Sequence, residues 1–254
     1  MGIRLRHISM LAHDIDQVAQ QLCSVFGLEV AFIDPRADEF GLENRVLPVG
    51  GQFLEVLTPT RPDNVGARYL ARRGGDTGWV VICQTDDHGA FKARLRQLGV
   101  RTAWEWREGL RYSLCLLNQR DTGGSYLEVD WAEGWDDPEG PWPPAGDEWR
   151  SHVRSNVVSA IRAAEVQSPE PEAVAERWAA ILGLPLQRND GIPELQLENA
   201  VIRFVPAADG RGEGLGGVDL AATDAHIAVN RAQELGLPVQ GSTIVIGGLR
   251  FHLV

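Results

Sequence analysis

Lysine is almost absent from this chain. Of 24 basic residues among 254, Lys92 alone is lysine, and the rest are arginine. Schiff-base chemistry would rest on that one residue, which sits in an amphipathic helix pattern. Cysteine is scarce too: Cys23, Cys83 and Cys115 are odd in number, widely spaced and form no CxxC pair. That excludes a disulfide framework, and each lies in an apolar run, so buried free thiols are expected. No apolar run approaches the ~18 residues of a membrane span. The start, MGIRLRHISML, has no long apolar stretch with a small-residue cleavage site, and no Ser or Thr at position 6 for myristoylation. A cytoplasmic protein is expected. Positive charge is in deficit: the net charge is −11 and the pI about 5.0. Neither nucleic acid nor an anionic membrane is an expected partner.

What remains is an ordinary globular balance, 44% apolar and 23% charged. A chain of this length forms one or two domains and needs no metal merely to fold. Its main feature is repetition. Gly27-Leu28, Gly99-Val100, Gly183-Leu184 and Gly236-Leu237 each close a segment with helical apolar spacing. Glycine just past the last apolar turn is a helix stop. Strand-like runs precede the helices at Arg4–Leu11, Trp79–Gln84, Val157–Ala163 and Gly217–Ala221. Acids stand between strand and helix at Asp14, Asp16, Asp86, Asp87, Glu170, Glu172 and Asp224, suited to caps or first turns. Two or three extended segments follow each helix. Counting back 20 residues from the four glycines reaches His7, Trp79, Ala163 and Gly216. The unit therefore reads as strand, helix, strands, four times over. Residues 131–152, rich in Pro, Gly, Trp and acid, interrupt the pattern as a linker. Their tryptophans suit packing over the core better than lining a ligand mouth.

Certain polar residues fall on apolar faces. In GQFLEVL, Glu55 shares a strand face with Phe53 and Leu57. In SYLEVDW, Tyr126, Glu128 and Asp130 share a face. In the first strand, Leu5, His7 and Ser9 do. A carboxylate so placed is costly unless paired or bound to a cation. His7 to Glu55 is 48 residues and Trp79 to Glu128 is 49, so the first two modules superpose. If they pair about a two-fold axis, His7, Glu55 and Glu128 converge. One imidazole and two carboxylates suit Zn, Mn, Ni, Co or Fe(II), with positions left for water and substrate.

These segments resemble the vicinal oxygen chelate superfamily, the glyoxalase, bleomycin-resistance and extradiol-dioxygenase proteins. The matching stretches are RHISMLAHDID with a helix ending in FGL, GGQFLEV, DTGGSYLEVDW, WAAILGL and GLGGVDLAATD. The resemblance implies an α+β fold of four βαβββ modules in two paired-module domains. Boundaries are expected at 1–132 and 153–254, with a linker at 133–152. It implies one divalent metal on His7, Glu55 and Glu128, with Glu55 or Glu128 doubling as general base. Trp79, at the fourth ligand position, cannot bind a metal and would form a wall against substrate, with Tyr126 and Asp130 as further contacts. In the second half, Arg203 and His252 occupy last-strand positions and no carboxylate matches, so that half is expected to be metal-free. His13, His88, His152 and His226 fall in turns or helix starts, without an assigned role.

The leading expectation is a metal-dependent lyase or isomerase that stabilises an enolate or oxyanion of a small molecule. The rival is a metal-free drug- or toxin-binding module with a tryptophan-lined cavity. A dioxygenase ranks third, for want of a second histidine ligand. A homodimer is compatible with either.

Overall fold

A computed structural model describes residues 1–254. The first module runs β1 (Ile3–Leu11), α1 (Ile15–Phe26), β2 (Leu42–Val49), β3 (Gln52–Pro59) and α2 (Val65–Arg73). The second runs β4 (Thr77–Thr85), α3 (His88–Leu98), β5 (Thr102–Glu108), β6 (Tyr112–Leu117), α4 (Gln119–Thr122) and β7 (Tyr126–Ala132). The third has β8 (Val158–Ser168), α5 (Pro171–Leu182), β9 (Leu186–Asn189), β10 (Ile192–Gln196) and β11 (Val201–Pro206). The fourth has β12 (Gly214–Ala222), α6 (Ala225–Glu234), β13 (Val239–Gln240), β14 (Thr243–Ile246) and β15 (Leu249–Leu253). The architecture is α+β, and the repeat read from the sequence recurs four times.

The helix punctuation is chemical. Asp14, Asp87 and Asp224 accept hydrogen bonds from Gln17, Ala90 and Ile227 backbone N–H groups, satisfying donors that have no partner within the helix. Glu170 makes no such bond; Pro171, which has no N–H to satisfy, opens α5 instead. Gly27, Gly99 and Gly183 adopt φ of 69°, 64° and 69° at the three C-caps. That is left-handed backbone, disfavoured wherever a Cβ is present.

The strands form two mixed sheets. One has seven strands in the order β2-β3-β1-β4-β7-β6-β5, and the other eight, β13-β14-β15-β12-β8-β11-β10-β9. Each sheet thus draws on two consecutive modules. The β4–β7, β8–β11 and β12–β15 pairs are parallel. Parallel neighbours need a crossover, which the helix of each module provides.

By contacts the chain forms two compact units. The first comprises Met1–His7, Trp79–Pro143 and Ala163–Leu215; the second comprises Ile8–Gly78, Pro144–Arg162 and Gly216–Val254. In the first unit α3 packs with α5, and Trp178 meets Phe204 edge-on at 5.6 Å between centroids. In the second, α1 packs with α6, and Phe26 meets Phe251 at 5.2 Å. Of the tryptophans in 131–152, Trp142 and Trp149 pack inward, whereas Trp131 and Trp135 are half-buried. Trp142 and Trp149 are both 1% exposed, and Trp149 stands edge-on to Phe53 in the second unit.

All three cysteines are free. Cys83 and Cys115 are buried, whereas Cys23 is partly exposed, which corrects the expectation of three buried thiols. Burial pushes the Cys115 thiol up to about 12 and raises Cys83 further. A thiol reagent at mild alkaline pH is expected to modify only Cys23 in the native protein, and all three cysteines after unfolding. Rapid native reaction of Cys83 or Cys115 would contradict this packing.

Candidate functional site

Glu55 lies on β3 opposite Val46 of β2. Two hydrogen bonds offset the cost of a carboxylate among apolar neighbours. Ser9 Oγ donates to Oε2 at 2.7 Å, and Asn44 Nδ2 donates to Oε1 at 2.8 Å. Both partners belong to flanking strands of the second unit. Ser9 was visible in the sequence on the His7 face; Asn44 carried no signal, because its role depends on the β2–β3 register.

In the first unit, His7 is 1% exposed. The indole Nε1 of Trp142 donates to its Nδ1 at 3.3 Å. The direction of this bond is fixed, because indole N–H can only donate. The Trp142 ring also stacks edge-on with Tyr112 at 5.7 Å and lies 5.3 Å from the Arg6 guanidinium carbon. Arg6 in turn donates to the carbonyls of Pro138 and Gly140. The linker is therefore strapped to β1, which no periodicity could reveal.

Glu128 and Asp130 face one way on β7, beside Ile82 and Gln84 of β4. They are hydrogen-bonded to each other, and a bond between two carboxyl groups needs a proton on one of them. Asp130 also accepts from the Tyr112 hydroxyl and, at 3.1 Å, from Cys115 N–H. Burial pushes Asp130 up to about 7, against the opposing effect of those hydrogen bonds. Val129 O is taken by His88 Nε2 at 3.1 Å. Side chains thus replace ladder partners at Cys115 and Val129. His88 is held well below its ordinary value, at about 4, chiefly by burial and by nearby Lys92, so its ring is neutral. A carbonyl can only accept, so Nε2 carries the proton. Nδ1 is then a bare acceptor, buried with no hydrogen-bond partner.

Trp79 packs edge-on to Tyr126 at 5.9 Å, and its indole N–H is buried without an acceptor. Its correspondence to His7 shifts by one residue once the helices are seen. α1 has 12 residues and α3 has 11, so counting back from the glycines misaligns the strands. Measured from the caps Asp14 and Asp87, His7 corresponds to Val80, which pairs with Tyr126. Val80 cannot bind a metal either.

The residues expected to hold a metal do not suit one as they stand. Each Glu55 oxygen accepts one hydrogen bond and keeps a second lone pair, so the obstacle lies at His7 rather than at Glu55. Neutral His7 accepting at Nδ1 carries its proton at Nε2, the reverse of a metal-binding histidine, whose second nitrogen usually donates outward. No group of three or more His, Cys, Asp and Glu side chains is placed to hold a metal ion. In the second half, carboxylates do stand by the two residues singled out earlier. Glu165 pairs with Arg203 at 3.3 Å in the first unit. In the second unit Asp219 lies beside His252 in the β12–β15 register, and Thr243 Oγ1 bonds His252 Nδ1 at 2.9 Å. These carboxylates lie on the first strands β8 and β12, whereas Glu55 and Glu128 lie on the last strands β3 and β7. No helix is long and apolar enough to cross a membrane.

A model of the glyoxalase-like domain family matches residues 5–182, most of the chain. No curated protein matches. Among solved structures, a hypothetical protein from Staphylococcus aureus aligns over 100% of both chains, with 14% identity and a TM-score of 0.68. A mutant 4-hydroxymandelate synthase from Streptomyces coelicolor covers 93% of this chain and 76% of its own, with 15% identity and a TM-score of 0.69. Methylmalonyl-CoA epimerase from Streptomyces coelicolor, in complex with 2-nitronate-propionyl-CoA, covers 52% of this chain and 98% of its own, with 24% identity and a TM-score of 0.46. The first two likenesses agree with the fold built above. The chain belongs to the glyoxalase-like domain family, within the vicinal oxygen chelate superfamily.

Proposed function

We propose that this protein binds a small, oxygen-bearing organic molecule without the aid of a metal ion. The observation that carries the reading is the Trp142 to His7 hydrogen bond. It commits the lone pair a metal would need, or leaves a proton on the other nitrogen. Trp79 and Tyr126 are the proposed ligand contacts. The unpaired indole N–H of Trp79 would gain a hydrogen bond from a ligand oxygen, and its absence costs free energy in the empty state. Glu128 and Asp130 then serve as a proton-sharing pair, with Tyr112 as the donor that orients it.

The test is metal content. Wild type, Glu55→Ala and Glu128→Ala are purified without added metal, then incubated with zinc, manganese, nickel, cobalt or ferrous iron and desalted. The expected result is far less than one equivalent in all three proteins. Stoichiometric metal in wild type, lost in both variants, would overturn the proposal. It would restore lyase or isomerase chemistry, with His7, Glu55 and Glu128 as ligands.

A further inference from the structure

The outer side of a sheet's last strand carries a row of backbone N–H and C=O groups that can recruit another strand. Three of the four sheet edges in this chain are covered or too short for that. On β2, Phe32 bridges Val46, and Ala31 N–H bonds to Val46 O at 2.8 Å. β13 has two residues and β9 has four. The fourth edge is β5, in the first unit, with β6 as its sole strand neighbour. It pairs with β6 in unbroken register from Trp104 to Glu108, after a bulge at Ala103.

That open stretch is complementary to itself. Side chains alternate, so Glu105 and Arg107 share one face, and Trp104, Trp106 and Glu108 share the other. Glu105 and Arg107 are both exposed, and Lys92 holds Glu105 at 2.5 Å. Laid antiparallel to a second copy and centred on Trp106, the stretch opposes Glu105 to Arg107 on both sides of the centre and Trp106 to Trp106. A two-fold axis through such a pair keeps each face on its own side, so the register can slip only by two residues. One slip sets Glu105 against Glu105, and the other sets Arg107 against Arg107. Like charges directly opposite are destabilising, so charge selects the register centred on Trp106.

We propose that β5 pairs antiparallel with β5 of a second copy of this chain, joining two seven-stranded sheets into one. The same register brings Leu110, 87% exposed at the tip of the β5–β6 hairpin, alongside Thr102 of the second copy. One strand pair buries less surface than a permanent dimer needs, so the association is reversible, with a Kd of about 1–100 µM. It stands apart from the ligand reading above, and neither outcome of the metal measurement bears on it.

Sedimentation velocity of the whole chain from about 1 to 300 µM provides the test. Wild type is expected to pass from monomer to dimer across this range. Arg107→Glu and Glu105→Arg each set like charges opposite one another, and each alone should weaken the dimer by at least about tenfold. Mixed in equal amounts, the two variants should dimerise with each other, because the acids of one then face the arginines of the other. Leu110→Ser, at an exposed tip, should weaken the wild-type dimer severalfold. Wild type that stays monomeric throughout would overturn the proposal. So would a dimer that neither charge substitution weakens, a mixture that stays monomeric, or affinity unchanged in Leu110→Ser.

Discussion

Trp142→Ala is expected to lower the unfolding free energy by about 3–5 kcal/mol, the range for truncating a large buried aromatic side chain. Trp142 is 1% exposed. The substitution removes its edge contact with Tyr112, its place over Arg6 and its hydrogen bond to His7. Once the ring is gone, Arg6 loses its stacking surface but keeps the carbonyls of Pro138 and Gly140, and Arg4 still holds Asp137 O and the Trp135 ring, so the strap stays tethered to β1. Denaturant unfolding measures the difference through the transition midpoint. A loss below about 1 kcal/mol would mean that the strap is an ornament on the sheet rather than part of the core.

Stability against pH gives the second large effect. Asp130 has a folded value raised to about 7, so its carboxyl is protonated in the fold at pH values where the unfolded chain has ionised it. Its contribution is fully present below about pH 4 and is lost as pH rises through about 7. His88 works in the opposite direction. Its folded value is depressed to about 4, so its contribution is present above about pH 6.5 and is lost as pH falls toward 4. Each alone gives a slope of up to about 1.4 kcal/mol per pH unit, and between roughly pH 4 and 6.5 the two oppose each other. Asp130→Asn keeps the shape and should uncover a stability that rises with pH across that window. His88→Phe should uncover one that falls. Parallel profiles for wild type and both variants would show that neither group is titrated by folding.

The sequence carried the modules far better than the site. Four glycine stops and the aspartate caps mark helix ends by local backbone chemistry, so they are legible without tertiary knowledge. The strands of Glu55 and Glu128 were legible by alternation. What escaped was set by register and by long-range contact. A helix one residue shorter in the second module moved the His7 counterpart from Trp79 to Val80. Asn44 reaches Glu55 only through the β2–β3 pairing. Trp142 meets His7 across 135 residues, from a segment without periodicity. His88 looked like a helix-start histidine, and only the opened β6–β7 ladder shows why its ring is held neutral. Residue type thus suggested a metal, whereas hydrogen-bond direction argues against one.

The most direct measurement is the protonation of the His7 ring, read by nitrogen-15 NMR with and without zinc. The account predicts a neutral ring with its proton on Nε2, an unprotonated Nδ1 accepting from Trp142, and no change on adding the metal. A proton on Nδ1, with an Nε2 resonance that moves when zinc is added, would contradict it.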